Sequence, residues 1–169
     1  MVSADERSEI LRAFLDSLNQ PIGSKGRCRF YIGEEGSGKT SLLLDMEKLA
    51  WENDFIPVRV TAGDWMNEEI IETLLKNGTN LIEPEWTSFR TKLSILCEEI
   101  DKQGKGVLLL IDDAEISESM RILAGTYQLL IGDEMNLVLI AAGEPQSINN
   151  ILFDDSLGFL NRGTQYRIK

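Results

Sequence analysis

The chain has 169 residues, of which 43% are hydrophobic and 27% charged, proportions typical of a single soluble globular domain. Its formal net charge of -11 argues against direct binding to nucleic acid, because phosphate contacts need clustered lysine and arginine. It has no histidine, which excludes histidine-based catalysis and histidine metal sites. No apolar run approaches the roughly 20 residues of a membrane span, so we expect no membrane partner and a cytoplasmic location.

Hydrophobic periodicity near the amino terminus predicts an amphipathic helix over residues 5–18. A polar stretch over residues 19–27 separates this helix from the first predicted strand. We therefore expect an N-terminal helix and linker over residues 1–24, followed by a single compact core over residues 25–169. The apolar side chains on the helical face are Ile10, Leu11, Phe14, Leu15 and Leu18.

A glycine-rich loop follows the first predicted strand, which ends in Phe30-Tyr31-Ile32. The loop sequence GEEGSGKT, residues 33–40, matches the phosphate-binding pattern G-x-x-x-x-G-K-[ST] at every fixed position, and a helical pattern follows over 39–53. Glycines let the backbone curl so that its N–H groups and the helix dipole face a polyphosphate. The sequence therefore predicts an ATP- or ADP-binding site formed by Gly33, Glu34, Glu35, Gly36, Ser37, Gly38, Lys39, Thr40 and Ser41.

Individual side chains of this loop have separate expected roles. Lys39 is expected on the β- and γ-phosphates, where it also assists catalysis, and the Thr40 hydroxyl is expected on Mg²⁺. The carboxylates of Glu34 and Glu35 would repel a polyphosphate, so we expect their side chains to point away from it.

A second signal is the segment Gly106–Asp113, in which five consecutive apolar residues end in two carboxylates. An unbroken Val/Leu/Ile run is typical of a parallel strand buried on both faces. Acids at its carboxyl end lie at the edge where open α/β sheets bind ligands. We predict that Asp112 holds Mg²⁺, through water or the Thr40 hydroxyl, and that Asp113 is the catalytic residue that orients or deprotonates the attacking water.

The remaining pattern alternates helix and strand, which predicts a parallel sheet. Strands are predicted at 55–60, 137–142 and 165–168, the last one after a short helix at 147–153 and an irregular stretch. The other predicted elements are helices near 68–76, 87–103 and 117–130, a turn at Asn77-Gly78 and a loop around Ile82-Glu83-Pro84-Glu85.

The two cysteines, Cys28 and Cys97, lie far apart in the sequence, each among apolar neighbours. No cysteine spacing typical of a zinc site is present. We therefore expect two free, buried thiols rather than a disulfide.

On the loop GEEGSGKTSLL and the strand LLLIDDAE, the chain resembles P-loop ATPases of the AAA+ group, in particular the origin-recognition-like class and bacterial or phage AAA ATP-binding proteins. The resemblance covers residues 25–169 and implies a three-layer α/β/α sandwich around a parallel five-stranded sheet in the order 5-1-4-3-2. It implies the core domain without the helical lid that normally follows, which makes the chain either a fragment or a reduced member of the group.

The resemblance also assigns roles at three further places. Most members have Glu where this chain has Asp113, and the shorter side chain implies slow hydrolysis. The fourth strand usually ends in a polar sensor, but here Ala141-Ala142-Gly143 is followed by Glu144, which either orients water or belongs to a turn set by Gly143 and Pro145. Arg162, just before strand five, is either an arginine finger for a neighbouring subunit or a solvated side chain.

Two functions fit this resemblance. One is an Mg²⁺-dependent ATPase, weak in the isolated chain, that is coupled to a protein partner or to self-association. The other is a nucleotide-dependent switch or interaction module with little hydrolysis of its own. A small-molecule kinase fits less well, because LLLIDDAE is not the usual kinase strand and no basic lid is visible.

Overall fold

The computed structural model of the protein describes residues 1–82 and 87–169. Most of the predicted loop around residues 82–85 lies outside the described residues. The described part of the chain forms five strands, β1 Cys28–Ile32, β2 Phe55–Thr61, β3 Gly106–Asp112, β4 Leu137–Gly143 and β5 Thr164–Arg167. It also forms six α-helices, α1 Ala4–Leu18, α2 Lys39–Glu52, α3 Met66–Asn77, α4 Phe89–Lys102, α5 Glu118–Gly132 and α6 Pro145–Leu152, with short 3-10 helices at Lys25–Arg27 and Asp155–Arg162.

All five strands pair in parallel in the order β2-β3-β4-β1-β5. This is the predicted order 5-1-4-3-2 read from the other edge, so the predicted topology is confirmed. Every residue of β3 and β4 is buried, as expected for central parallel strands that are covered on both faces. Because the strands are parallel, the carboxyl ends of β1, β3 and β4 lie side by side, along what is called here the carboxyl edge of the sheet.

Helices cover both faces of the sheet, which gives the three predicted layers. On one face, Phe14 of α1 and Leu43 of α2 belong to the same apolar core as Leu110 of β3. On the other face, the apolar sides of α3, α4, α5 and α6 pack against alternate residues of the same strands, such as Leu109 and Ile111. Successive side chains of a strand point to opposite faces, so one continuous apolar run supplies both cores.

Serine side chains begin three of the helices. Ser3 accepts a hydrogen bond from the Glu6 N–H at 3.1 Å, Ser88 from the Thr91 N–H at 3.2 Å, and Ser117 from Met120 at 3.0 Å. Each bond satisfies a backbone donor that has no partner within its helix. These caps explain why α1, α4 and α5 begin where they do.

Two predicted boundaries differ from the structure near the carboxyl end. Helix α6 begins at Pro145 rather than near Ser147, because proline is already in a helical φ and lacks the N–H that a first turn leaves unpaired. The stretch expected to be irregular is largely the 3-10 helix Asp155–Arg162, whose start is capped by Asp154, which accepts from the Ser156 N–H at 2.9 Å.

Both cysteines are free and buried, as predicted. Removal from solvent disfavours the thiolate and raises the pKa of Cys28 and of Cys97 to about 12. Neither thiol is therefore ionised near neutral pH.

Within residues 1–82 and 87–169, no helix combines the length and the apolar character that crossing a membrane requires.

Candidate functional site

The loop over residues 33–40 joins the carboxyl end of β1 to the first turn of α2. Gly38 lies just before α2 with φ of 98°, a left-handed backbone conformation that residues other than glycine rarely adopt. A Cβ added to Gly33 would lie 2.5 Å from Ser37 Oγ and 3.2 Å from Ser37 Cβ, so a larger residue at position 33 would displace the Ser37 side chain. The fixed glycines of the motif therefore create the curl of the backbone.

Lys39 lies across this loop and is only 7% exposed. Its ammonium donates hydrogen bonds to the carbonyl oxygens of Gly33 at 2.7 Å and Glu34 at 2.8 Å, and to Ser37 Oγ at 3.4 Å. Neutral carbonyls satisfy the buried ammonium here, and a phosphate oxygen would be a stronger, charged acceptor for the same donor. The side chain is thus held at the position from which it would meet a polyphosphate.

The second part of the site is the contact between the first turn of α2 and the end of β3. Thr40 Oγ1 donates a hydrogen bond to Asp112 Oδ2 at 2.6 Å, and Asp112 Oδ1 accepts from the Asp113 N–H at 2.9 Å. Asp112 is 5% exposed, so both of its oxygens are fixed in a largely desolvated place. Asp113 follows with φ of 48°, which turns the chain out of the strand toward the ligand edge of the sheet.

These elements surround a cleft of about 530 Å³ at the carboxyl edge of the sheet. It brings together part of the predicted loop with the second acid of β3 and with Glu144 at the start of α6. The other predicted residues join it indirectly, Gly33, Glu34 and Ser37 through Lys39, and Asp112 through Thr40. The lining residues are Glu35, Gly36, Gly38, Lys39, Thr40, Ser41, Asp113 and Glu144.

The two loop glutamates differ in their relation to the cleft. Both are exposed, as expected for side chains that avoid a polyphosphate, but Glu35 still belongs to the cleft lining. A backbone atom of Glu35 would be enough to place it in the lining, so the expectation that both carboxylates point away from a polyphosphate stays a prediction.

The end of β4 carries no amide or hydroxyl side chain, and its packing leaves little room for one. A Cβ added to Gly143 would lie 2.9 Å from the carbonyl oxygen of Ala114, so the backbone after Asp113 closely approaches this strand end. Glu144, exposed and next in sequence, is the first ionisable side chain beyond the strand. It lines the cleft together with Asp113.

Arg162 is not brought to this cleft. It is exposed at the end of the second 3-10 helix, immediately before β5, whose first residue pairs with Arg29 near the amino end of β1. The loop, by contrast, follows the carboxyl end of β1, at the opposite edge of the sheet. Arg162 instead lines a separate cavity of about 140 Å³ with Tyr127 and Phe159.

Contacts from the N-terminal helix were not foreseen from the sequence. The Val2 N–H donates to the Ser37 carbonyl at 3.1 Å, and Arg7 Nη2 donates to Ser41 Oγ at 2.9 Å. Arg7 also pairs with Asp45 on α2. The sequence gives no signal for this contact, because Arg7 is on the polar face of an amphipathic helix and Ser41 is 34 residues away.

Comparisons with known proteins agree with this arrangement. No protein-family model matches the chain, and no curated protein matches it. Among solved structures, the Aeropyrum pernix ORC2 protein in ADPNP–ADP complexes matches with a TM-score of 0.67 at 14% identity, over 97% of this chain and 46% of that one. The AMPPCP-bound DnaA of Aquifex aeolicus matches with a TM-score of 0.61 at 17% identity, over 100% of this chain and 48% of that one.

A third similar structure is the Aeropyrum pernix ORC1 protein in complex with DNA, with a TM-score of 0.60 at 14% identity, over 100% of this chain and 46% of that one. The chain thus spans about half the length of these three proteins. At such identities the likeness concerns the fold, and it extends over nearly all of the chain. The predicted three-layer α/β fold is therefore confirmed: this chain has the fold found in these ORC and DnaA structures.

Proposed function

We propose that this chain binds Mg²⁺ with ATP or ADP in the cleft at the carboxyl edge of the sheet, and that it hydrolyses ATP slowly. The observation that carries the proposal is the 2.6 Å hydrogen bond between Thr40 and Asp112, beside the glycine loop. A loop threonine and a strand-end aspartate have this relation where both serve one metal ion next to a bound triphosphate. Solved structures with the same fold include nucleotide complexes of ORC2 and DnaA.

The donor atoms at this place fit Mg²⁺. Hydroxyl and carboxylate oxygens are the hard ligands that the ion prefers, and it is usually held by one or two protein groups together with phosphate oxygens and water. In keeping with this, no group of three or more acidic or cysteine side chains suited to a metal occurs among the described residues. Bound there, Mg²⁺ would neutralise charge on the phosphates during transfer.

Binding of the phosphates is assigned to the backbone N–H groups of the loop and to Lys39. To reach a β- or γ-phosphate, the ammonium must exchange its bonds to the carbonyls of Gly33 and Glu34 for phosphate oxygens. The exchange replaces neutral acceptors by charged ones and is therefore favourable. Lys39 thus serves both as the cation that binds the nucleotide and as a group that stabilises charge during phosphoryl transfer.

Hydrolysis is assigned to Asp113, which lines the cleft one residue beyond the proposed metal ligand. Its carboxylate would orient or deprotonate the attacking water, and Glu144 is a further acidic residue of the cleft lining. Aspartate reaches one methylene less far than glutamate, and β4 ends in Ala141-Ala142-Gly143 without a polar sensor. We therefore propose a low rate, since phosphoryl transfer depends on positioning and on charge stabilisation.

The same features support the second candidate, a switch that recruits a partner when nucleotide is bound and hydrolyses little. The closely packed end of β4, where Gly143 lies against the Ala114 carbonyl, favours the switch, because side chains that would sense the γ-phosphate are missing there.

For both candidate functions we propose a protein partner or self-association, with Arg162 acting on the nucleotide of a neighbouring copy. Residues 1–24 would be the N-terminal helix and linker and residues 25–169 the core, in a cytoplasmic protein.

Direct binding to nucleic acid stays an open prediction of the charge argument. The net charge of -11 predicts none, but a similar structure contains an ORC1 protein in complex with DNA, and the comparisons therefore give the prediction no support. Electrophoretic mobility of a duplex at low salt would test it directly.

Isothermal titration calorimetry of the purified chain tests the proposed function. Mg²⁺ with ATP and Mg²⁺ with ADP should each bind at one site per chain, and EDTA should weaken the binding of ATP. Phosphate release, measured in the same samples, separates the two candidates: slow turnover supports the ATPase, and undetectable turnover with tight binding supports the switch. Absence of binding at millimolar nucleotide would reject both.

A further inference from the structure

Arg7 has no assigned role in the proposed site, yet its side chain bonds to Ser41, which lines the cleft. Helix α1 packs on α2 through Ile10 and Phe14, and this packing directs Arg7 toward the first turns of α2. There Arg7 Nη2 donates to Ser41 Oγ at 2.9 Å, while Nη1 pairs with Asp45 Oδ2. Ser41 lines the cleft, and Asp45 is one helical turn further along the same face of α2.

The position of the guanidinium is set by partially buried partners. The side chains of Arg7 and Asp45 are each 32% exposed, so the pair is neither fully solvated nor desolvated. Asp45 orients one edge of the planar guanidinium and leaves Nη2 directed at Ser41. The bond to Ser41 joins a charged donor to a neutral hydroxyl, which is a weaker acceptor than an anionic phosphate oxygen.

The charges around the cleft make a second cation useful. Among the described residues that line it, three carry carboxylates, Glu35, Asp113 and Glu144, and Lys39 alone carries a positive charge. Three carboxylates and a polyphosphate repel each other, and Mg²⁺ with one lysine offsets this only in part. Arg7 is next to this lining through Ser41, and although Asp45 pairs with one edge of its guanidinium, Nη2 bonds only to a neutral hydroxyl.

We infer that Arg7 is a phosphate-binding residue of this site, which exchanges the Ser41 hydroxyl for an oxygen of the α-phosphate of a bound nucleotide. The inference rests on the proposed function. Lys39 is assigned to the β- and γ-phosphates and Thr40 to the metal ion, so the phosphate next to Ser41, one residue further along α2, is the α-phosphate. Nucleotide binding is thereby linked to helix α1, because Arg7 belongs to that helix.

The α-phosphate is common to ADP and ATP, which makes the inference sharply testable. Titration calorimetry with Mg²⁺–ADP and Mg²⁺–ATP should show that Arg7→Gln weakens the binding of both by about tenfold, the loss expected for one charge-assisted hydrogen bond. The ratio of the two dissociation constants should stay as in the wild type. Arg7→Lys, which keeps the charge without the planar fork, should recover part of the affinity.

Two matched variants separate a binding role from a structural one. Arg12, exposed on the same helix, is the control, and Arg12→Gln should bind both nucleotides as the wild type does. Asp45→Asn removes the ion pair between α1 and α2 but keeps Arg7, so it should lower affinity much less than Arg7→Gln. Melting of the nucleotide-free variants by circular dichroism checks that all of them are folded.

Each outcome decides the matter. If the wild type binds neither nucleotide, the proposed function itself fails. If the wild type binds and Arg7→Gln binds equally well, the inference alone is overturned. Loss of ATP binding without loss of ADP binding would place Arg7 on the γ-phosphate instead, and equal losses in Arg7→Gln and Asp45→Asn would show that the arginine only holds α1 against α2.

Discussion

The hydroxyl of Thr40 donates to the carboxylate of Asp112 at 2.6 Å, although the two residues are 72 positions apart in the chain. Thr40 lies in the first turn of α2, which follows β1, and Asp112 ends β3; in the sheet, β4 lies between β1 and β3. The contact joins the two sequence signals of the chain into a single place.

The first prediction concerns Lys39. In the wild type, Mg²⁺ with ATP or ADP should raise the melting temperature, because a ligand that binds only the folded state stabilises it by about 2.7 kcal/mol at 100 times Kd. Lys39→Ala should remove most of this shift, measured by differential scanning fluorimetry. Lys48→Ala, an exposed lysine on the same helix, is the control and should keep the shift. A full shift in Lys39→Ala would contradict the assignment of the loop.

The second prediction separates the two acids. Asp112→Asn should weaken Mg²⁺-dependent nucleotide binding, because it removes the charge of the proposed metal ligand, whereas Asp113→Asn should leave binding nearly unchanged and lower phosphate release by at least about tenfold. Binding is measured by calorimetry in Mg²⁺ and in EDTA. Equal loss of binding in both variants would show that the roles of the two carboxylates are not distinct.

The third prediction concerns turnover and Arg162. The wild-type chain should hydrolyse ATP well below the median enzyme turnover of about 10 per second. Arg162 lies near the amino end of β1, away from the cleft, so a finger role would require a neighbouring copy, and turnover per chain should then rise with protein concentration.

Arg162→Ala should abolish that rise, whereas Arg90→Ala, which removes another exposed arginine, should retain it. A steady-state phosphate assay over a hundredfold range of protein concentration measures both. Fast hydrolysis that is independent of concentration would mean that one chain holds a complete catalytic site.

The fourth prediction concerns pH and Glu6. Glu6 Oε2 accepts from the Lys169 N–H at 3.0 Å and from the Tyr166 hydroxyl at 2.9 Å. Both bonds lower the pKa of Glu6, and the bond from the Lys169 N–H is the main cause. Burial opposes them, but the pKa stays below its ordinary value. A carboxyl with a lowered folded-state pKa stabilises the fold above its unfolded pKa of about 4.3, and this contribution is lost as the pH falls through the folded value.

Glu6→Gln should therefore lower the melting temperature at pH 7 by about 2–4 °C, and the difference from wild type should shrink below about pH 4. Thermal melts by circular dichroism between pH 3 and pH 7 measure it. Glu9→Gln, which changes an exposed glutamate of the same helix, should show a smaller effect at every pH. A difference for Glu6→Gln that is constant over this range would exclude the ionised carboxylate as its source.

Much of the architecture could be read from local patterns. The unbroken apolar run of β3 predicted a central parallel strand, and all of its residues are buried. The loop pattern predicted the turn from β1 into α2, because only glycine tolerates the conformation found at Gly38. Boundaries were less certain: β5 spans Thr164–Arg167, one residue earlier than predicted, and α6 begins two residues earlier, at its proline.

What the sequence by itself determined was the presence of a phosphate loop and an acidic strand end, since both depend on residue types at fixed local spacing. Only the tertiary structure decided that Lys39 bonds to the loop carbonyls, that Glu35 lines the cleft and that Arg162 lies at the far edge. The same holds for Arg7, whose contact with Ser41 depends on how α1 packs against α2. Local periodicity specifies which face of a helix is apolar. Packing decides which element that face contacts, and therefore which residues the polar side chains of the helix can reach.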